Sequence, residues 1–214
     1  MVSTGSTTGD QLHADALAAL GSWPAPTAEQ ERLRQRYADH LAAHADGMTR
    51  GCYPDHLTAS TLVVSPAGDE VLLTLHAKAR RWFQLGGHCE DADTTLAGAA
   101  LREAVEESGL TGLVVDPVPV QLSEHAVPFC DPRGGVHHLD VRFLAVAPAD
   151  PDQSGHAVSE ESLDVRWWPA DALPDPDPDL VELVALARTR LSAGSPQSAA
   201  SGTFSGGSSR AAAE

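Results

Sequence analysis

One stretch limits the architecture more than any other: Gly86-Gly87-His88-Cys89-Glu90-Asp91-Ala92-Asp93, running on through Leu96 to Gly109-Leu110. It reads as the end of a strand, a tight glycine turn, a polar loop, a helix and a glycine stop. Asp93 or Thr94 is placed to cap the helix, because a short side-chain oxygen accepts one of the amide protons that a first turn leaves unpaired. Gly109 is the residue type expected just past the end, where left-handed backbone is cheap only without a Cβ.

At 100° per residue the helix divides into two faces. Leu101, Ala104, Val105 and Ser108 share one, which suits a sheet beneath. Glu103, Glu106 and Glu107 share the other at i, i+3, i+4, so their carboxylates converge. Like charges at this spacing repel by about 0.2–0.5 kcal/mol per pair. Glu106 and Glu107 also sit in the last turn, where the helix dipole disfavours anions by about 0.3–1 kcal/mol each. Arg102 offsets part of this by pairing with Glu106 one turn on. A hard divalent cation offsets far more, since clustered carboxylate oxygens are what Mg²⁺ or Mn²⁺ prefers. The competing account is a solvated acidic face on an acidic protein; the glycine turn before the cluster and the glycine stop after it favour the metal.

The stretch resembles the Nudix box, the signature of pyrophosphate-cleaving hydrolases, written G-x5-E-x7-R-E-U-x-E-E-x-G-U with U aliphatic. Gly87, Arg102, Glu103, Glu106, Glu107, Gly109 and Leu110 match in residue type, and Ala104 is a small stand-in for the aliphatic position. Asp93 stands where Glu is usual, and eight residues rather than seven separate it from Arg102. In the family that upstream acid orients the arginine and the loop.

The resemblance implies an α/β fold, an α/β/α sandwich with a mixed sheet. It implies a hydrolase cleaving a pyrophosphate linkage in a nucleoside diphosphate derivative, dependent on Mg²⁺ or Mn²⁺. Glu103, Glu106 and Glu107 would hold the ion with the Gly87 carbonyl, and Arg102 would orient the glutamates. Members often take one more acidic group from outside the box, and Glu160 and Glu161 are the candidates by placement. Two other classes compete with this one. A Nudix-fold nucleotide-binding or sensor domain is favoured by Asp93 and the extra residue, and disfavoured by the complete glutamate cluster. Isomerase chemistry on an isoprenyl diphosphate needs Cys and Glu placements that this chain does not offer.

Charge narrows the partners. The chain of 214 residues carries a formal net charge of −16, which repels nucleic-acid backbones and anionic membranes over long range. A phosphate substrate is still admissible where bound metal and local arginines reverse the sign. With 42% hydrophobic residues the chain can build a core. Cys52, Cys89 and Cys130 are an odd, widely spaced set, as expected of reduced thiols in the cytoplasm. No apolar run approaches membrane-spanning length and the N-terminus lacks a signal pattern.

Residues 1–9 and 192–214 have the composition of disordered ends. Residues 10–46 read as a helical extension: Asp10 to Leu20, then a capping box at Thr27 to Gln30 opening a helix with Leu33, Tyr37 and Leu41 on one stripe. It is expected to pack on the main domain, with dimerisation or substrate capping as further roles. Residues 50–191 read as the Nudix domain. Leu57 to Ser65 and Glu70 to His76 flank a hairpin turn, and Trp82 to Leu85 feeds the glycine turn. Arg80 or Arg81 offers a planar fork for a phosphate. Leu113 to Leu122, broken by Pro117 and Pro119, reads as an edge or bulged strand, and His125 to Gly135 as a loop. Val136 to Val146 alternates, with His138, Asp140 and Arg142 on one face; Arg142 could take a phosphate and His138 a base or sugar. A strand from Leu163 to Trp168 and a helix from Asp177 to Leu191 complete the domain, with Trp167 and Trp168 expected to pack rather than stack on a ligand.

Overall fold

The computed structural model describes residues 8–149 and 162–194. In chain order the elements are α1 (Thr8–Ser22), α2 (Ala28–Ala43), β1 (Asp55–Val64), β2 (Glu70–His76), β3 (Trp82–Phe83), β4 (Leu85–His88), α3 (Leu96–Ser108), β5 (Val114–Ala126), β6 (His137–Val146), β7 (Ser162–Pro169) and α4 (Pro178–Gly194). Two expected boundaries shift. Thr8 and Gly9 belong to α1, ahead of its first buried residue Leu12, and Ser192 to Gly194 extend α4 beyond Leu191, which packs on the core. The remaining residues expected to be disordered, and Glu160 and Glu161, lie outside the described residues.

The sheet is mixed, in the order β3-β2-β1-β6-β5, with β4 paired to β1 and β7 to β2. β1 and β6 run parallel over ten consecutive pairs from Asp55–His137 to Val64–Val146, and the other pairings are antiparallel. Alternation along β1 and β6 divides the core. Leu57, Ala59, Leu139, Val141 and Phe143 point to one face, where they meet α1, α2 and α3 through Leu12, Ala16, Leu20, Tyr37, Leu41, Leu96 and Ala99. Leu62, Val64 and Leu144 point to the other, under Leu180, Leu183, Val184 and Ala187 of α4. The result is the α/β/α sandwich, and the N-terminal helices share its core.

Gln30 of α2 shows how the extension is fastened. Thr27 caps α2 by accepting from Gln30 N, but the Gln30 side chain does not complete the capping box. It reaches the edge strand instead, donating to the Leu122 carbonyl at 2.9 Å and accepting from the Leu122 amide at 2.7 Å. Buried backbone groups must find partners, and this amide supplies both. β5 is the expected edge strand, with a register shift between Asp116 and Gln121 where Pro117 and Pro119 sit. It continues to Ala126, so His125 and Ala126 are paired with His138 and His137 and are not in a loop. Trp168 packs edge-on against Trp82, with ring centroids 5.3 Å apart.

Candidate active site

β1 changes partner along its length. Val63 and Val64 pair with β2, whereas Thr58 to Thr61 pair with His88 to Leu85 of β4. The glycine turn therefore lies beside β1, and it is tight: a Cβ on Gly86 would stand 2.3 Å from the Ser60 Cβ, and one on Gly87 would stand 2.7 Å from Glu103 Oε1. Only glycine lets the turn reach the carboxylates of α3.

α3 is capped by Thr95, whose side chain accepts from Gly98 N, and not by Asp93 or Thr94. Asp93 has another task. It is buried; one oxygen accepts from Glu90 N at 2.8 Å and Arg102 Nη2 at 2.9 Å, the other from Arg102 Nε at 3.2 Å. Arg102 also donates to the His88 carbonyl at 3.0 Å, to Glu103 at 3.1 Å and to Glu106 at 3.0 Å. The Asp93 hydrogen bonds, followed by the field of Glu103, hold the guanidinium pKa above its ordinary value despite partial burial. The shorter acid with the extra residue thus reaches its arginine. At the C-terminus Gly109 is left-handed, with φ 69°.

The three glutamates do not share one environment. Glu106 is exposed and Glu103 half-buried, but Glu107, expected on the outer face, is buried. It turns under the glycine loop, accepting from Gly86 N at 3.0 Å and Ser162 Oγ at 3.4 Å. Only the pairing of β7 with β2 brings Ser162 to this place, so no spacing in the sequence points to it.

Beside these groups is a cavity of about 640 Å³ that reaches from Gly86, Gly87 and Glu107 across the sheet to α4. Its floor is the polar face predicted for β6, His138, Asp140 and Arg142, extended sideways by register to Thr58 and Ser60 on β1 and to Ser123 and His125 on β5; His56 and Gln121, the register partners of His138 and Arg142, are buried. Arg142 lines the cavity but is buried, with its fork engaged by Asp140 at 2.9 Å, Asp179 at 2.7 Å and Gln121 at 2.8 Å. Arg81 lines it too, paired with Asp175 at 2.8 Å and Asp177 at 2.9 Å. Both guanidinium groups, expected to meet phosphate, have carboxylate partners. Aromatic groups unremarked in the sequence, Phe83, His76 and Phe129, line the same space; the His76 and Phe129 ring centroids are 5.5 Å apart.

His138 does not stand alone on the floor. Its ring lies against His56, His88 and His125, with centroids 5.0, 4.8 and 5.7 Å away. Burial, then the neighbouring imidazoles, lowers the pKa of His138 to about 3 and of His88 to about 4. Burial pushes the Cys89 thiol up to about 12.

The donor set on α3 and the glycine turn is all oxygen, which fits Mg²⁺ or Mn²⁺. Among the described residues no helix is long and apolar enough to cross a membrane. No curated protein sequence matches the chain. Solved structures do. The NUDIX domain of Shewanella oneidensis NrtR, complexed with ADP ribose, is 22% identical, with a TM-score of 0.50 over 72% of this chain and 97% of that one. The C. elegans Ap4A hydrolase in a binary complex is 20% identical, with a TM-score of 0.51 over 64% and 98%. At these identities the likeness is one of fold. The model of the NUDIX domain matches residues 54–186, more than half the chain, and places the motif, its helix and the sheet together: this protein belongs to the Nudix hydrolase family.

Proposed function

We propose that the chain is a Mg²⁺- or Mn²⁺-dependent pyrophosphohydrolase acting on a nucleoside diphosphate derivative, the ligand class named for the ADP-ribose and Ap4A structures of the same fold. The observation that carries this reading is the approach of the Gly86-Gly87 backbone to Glu103 and Glu107 at the rim of the large cavity. Glu103, Glu106 and Glu107 would hold the ion with the Gly87 carbonyl. A bound ion there neutralises charge on bridging phosphate oxygens and lowers the pKa of an attacking water.

The chain's own residues set up the rest. Asp93 fixes Arg102, and Arg102 fixes Glu103 and Glu106. Such an arrangement orders ligands at little cost during the reaction. Phe83, His76 and Phe129 offer apolar surface for a nucleobase, and the cavity matches small-ligand sites of about 300–1,000 Å³.

The test is a panel of nucleoside triphosphates, dinucleoside polyphosphates, nucleotide sugars and dinucleotides with Mg²⁺, products identified by mass. One or more should be split at a pyrophosphate bond. Glu106→Gln and Glu107→Gln should each reduce kcat at least about 100-fold with unfolding temperatures close to wild type. Full activity in both variants would overturn the assignment. Tight nucleotide binding without product would select the sensor-domain alternative.

A further inference from the structure

We propose that His56, His88, His138 and Cys130 form a zinc site, separate from the carboxylate site on α3. The sulfur of Cys130 lies 3.4 Å from Nε2 of His88, 3.4 Å from Nε2 of His138 and 3.9 Å from Nε2 of His56. A ligand atom of each of the four residues lies within 4.8 Å of the others. A tetrahedral Zn²⁺ with Zn–S of about 2.3 Å and Zn–N of about 2.0–2.1 Å requires sulfur and nitrogen roughly 3.5 Å apart. The cluster meets that spacing, with the His56 contact needing a small inward shift.

The lone pair of His56 points the right way. Nδ1 of His56 is 3.1 Å from the Cys52 carbonyl. A carbonyl can only accept, so Nδ1 carries the proton and Nε2 faces the cluster as a free lone pair in the neutral ring. A ligating histidine whose other nitrogen donates to a backbone carbonyl is the usual support for a metal. Hydrogen bonding alone would need the thiol to donate to Nε2 of His56 while His88 and His138 both hold their proton on Nε2 and donate to the same sulfur, a weak acceptor. One cation satisfies all four atoms. Nitrogen and thiolate donors suit zinc and not Mg²⁺, so the two sites need not compete for one ion.

The topology explains how such distant residues meet. His138 and His56 are register partners on β6 and β1, and His88 is on β4, which pairs with the same stretch of β1. Cys130 arrives from the loop between β5 and β6. Four protein ligands leave no open position, the mark of a structural site. The ion would pin that loop, which also carries Phe129, over the cavity. His138 would then serve the metal and not a base or sugar.

The full chain, stripped by a chelator, is titrated with Zn²⁺ against a chromogenic competitor and separately with Co²⁺. One equivalent should bind, and the cobalt form should show a near-ultraviolet thiolate-to-metal band with the visible bands of a tetrahedral ion. Glu106→Gln and Cys52→Ala should keep the band. Cys130→Ser should remove it and weaken zinc at least about 100-fold, and His138→Ala should weaken zinc similarly, each with an unchanged circular dichroism spectrum. If Cys130→Ser does not fold, Cys52→Ala and His138→Ala still decide. Absence of the band in the wild type overturns the proposal. So does its loss in Cys52→Ala, which would move the metal to Cys52 with His44 and Asp46, the other such group among the described residues.

Discussion

Asp93 meets Arg102 with both carboxylate oxygens, at 2.9 Å from Nη2 and 3.2 Å from Nε. The same carboxylate accepts from Glu90 N, so its reach is fixed at two points. A longer acid cannot satisfy both without moving the loop. Asp93→Glu, although it restores the residue usual in the family, should therefore lower stability by about 1–2 kcal/mol and should not raise activity. Thermal unfolding and kcat measured side by side check this.

The two adjacent glycines should respond differently to the same substitution. In Gly86→Ala the new Cβ meets strand β1 at Ser60, 2.5 Å from its Cα, which cannot yield, and the loss should reach about 3 kcal/mol or more. In Gly87→Ala it meets the end of the Glu103 side chain, which can swing away. The expected outcome is a near-normal melting temperature with a raised Mg²⁺ requirement in turnover assays.

Asp140 is buried with Arg142, and it also accepts from Ser60 Oγ at 2.7 Å and Thr58 Oγ1 at 3.1 Å. Burial alone would raise its pKa; the charge of Arg142, with help from His125 and the hydrogen bonds, more than offsets this and leaves it below the ordinary carboxylate value. A group whose folded pKa is depressed stabilises above the unfolded value, about 3.9, and loses that contribution as pH falls through the folded one. Denaturant unfolding between pH 3 and pH 7 should show this loss at the acid end. Asp140→Asn should cost about 1.5–3 kcal/mol at neutral pH, since Arg142 loses one of its two carboxylates and keeps Asp179, and should flatten the acid limb.

Gln30→Ala should destabilise the protein by about 2–4 kcal/mol, since both polar groups of Leu122 lose their partner. Gln30→Glu should be no better, because a carboxylate oxygen would then face the Leu122 carbonyl. Hydrogen exchange at the Leu122 amide, set beside global unfolding, separates local loosening from general loss.

Much of this was legible because it is local. The helix with its glycine stop, the Arg102–Glu106 pair and the alternation of β6 follow from spacing of a few residues. Thr95 as the cap is less legible, since Asp93, Thr94 and Thr95 are all capping residue types in succession and Asp93 is drawn away by Arg102. The burial of Glu107 depends on where β4 and β7 dock, which no helical periodicity contains. Arg81 looks available in sequence because its partners Asp175 and Asp177 lie far along the chain; Arg142 has Asp140 two residues before it, but its second carboxylate, Asp179, is distant. The grouping of His56, His88 and Cys130 around His138 is likewise a product of strand register.

That β1 serves β2 with its last residues and β4 with its middle has a bearing on how the gene can vary. Adding or deleting one residue between Thr61 and Val63 would leave both branches able to zip up, yet would turn one half of the strand over relative to the other. Side chains meant for the helices would then stand in the cleft, and the serine and threonine of the floor would be thrust into the oily layer. Length changes should accumulate at the Ser65–Asp69 turn, while this strand keeps its count.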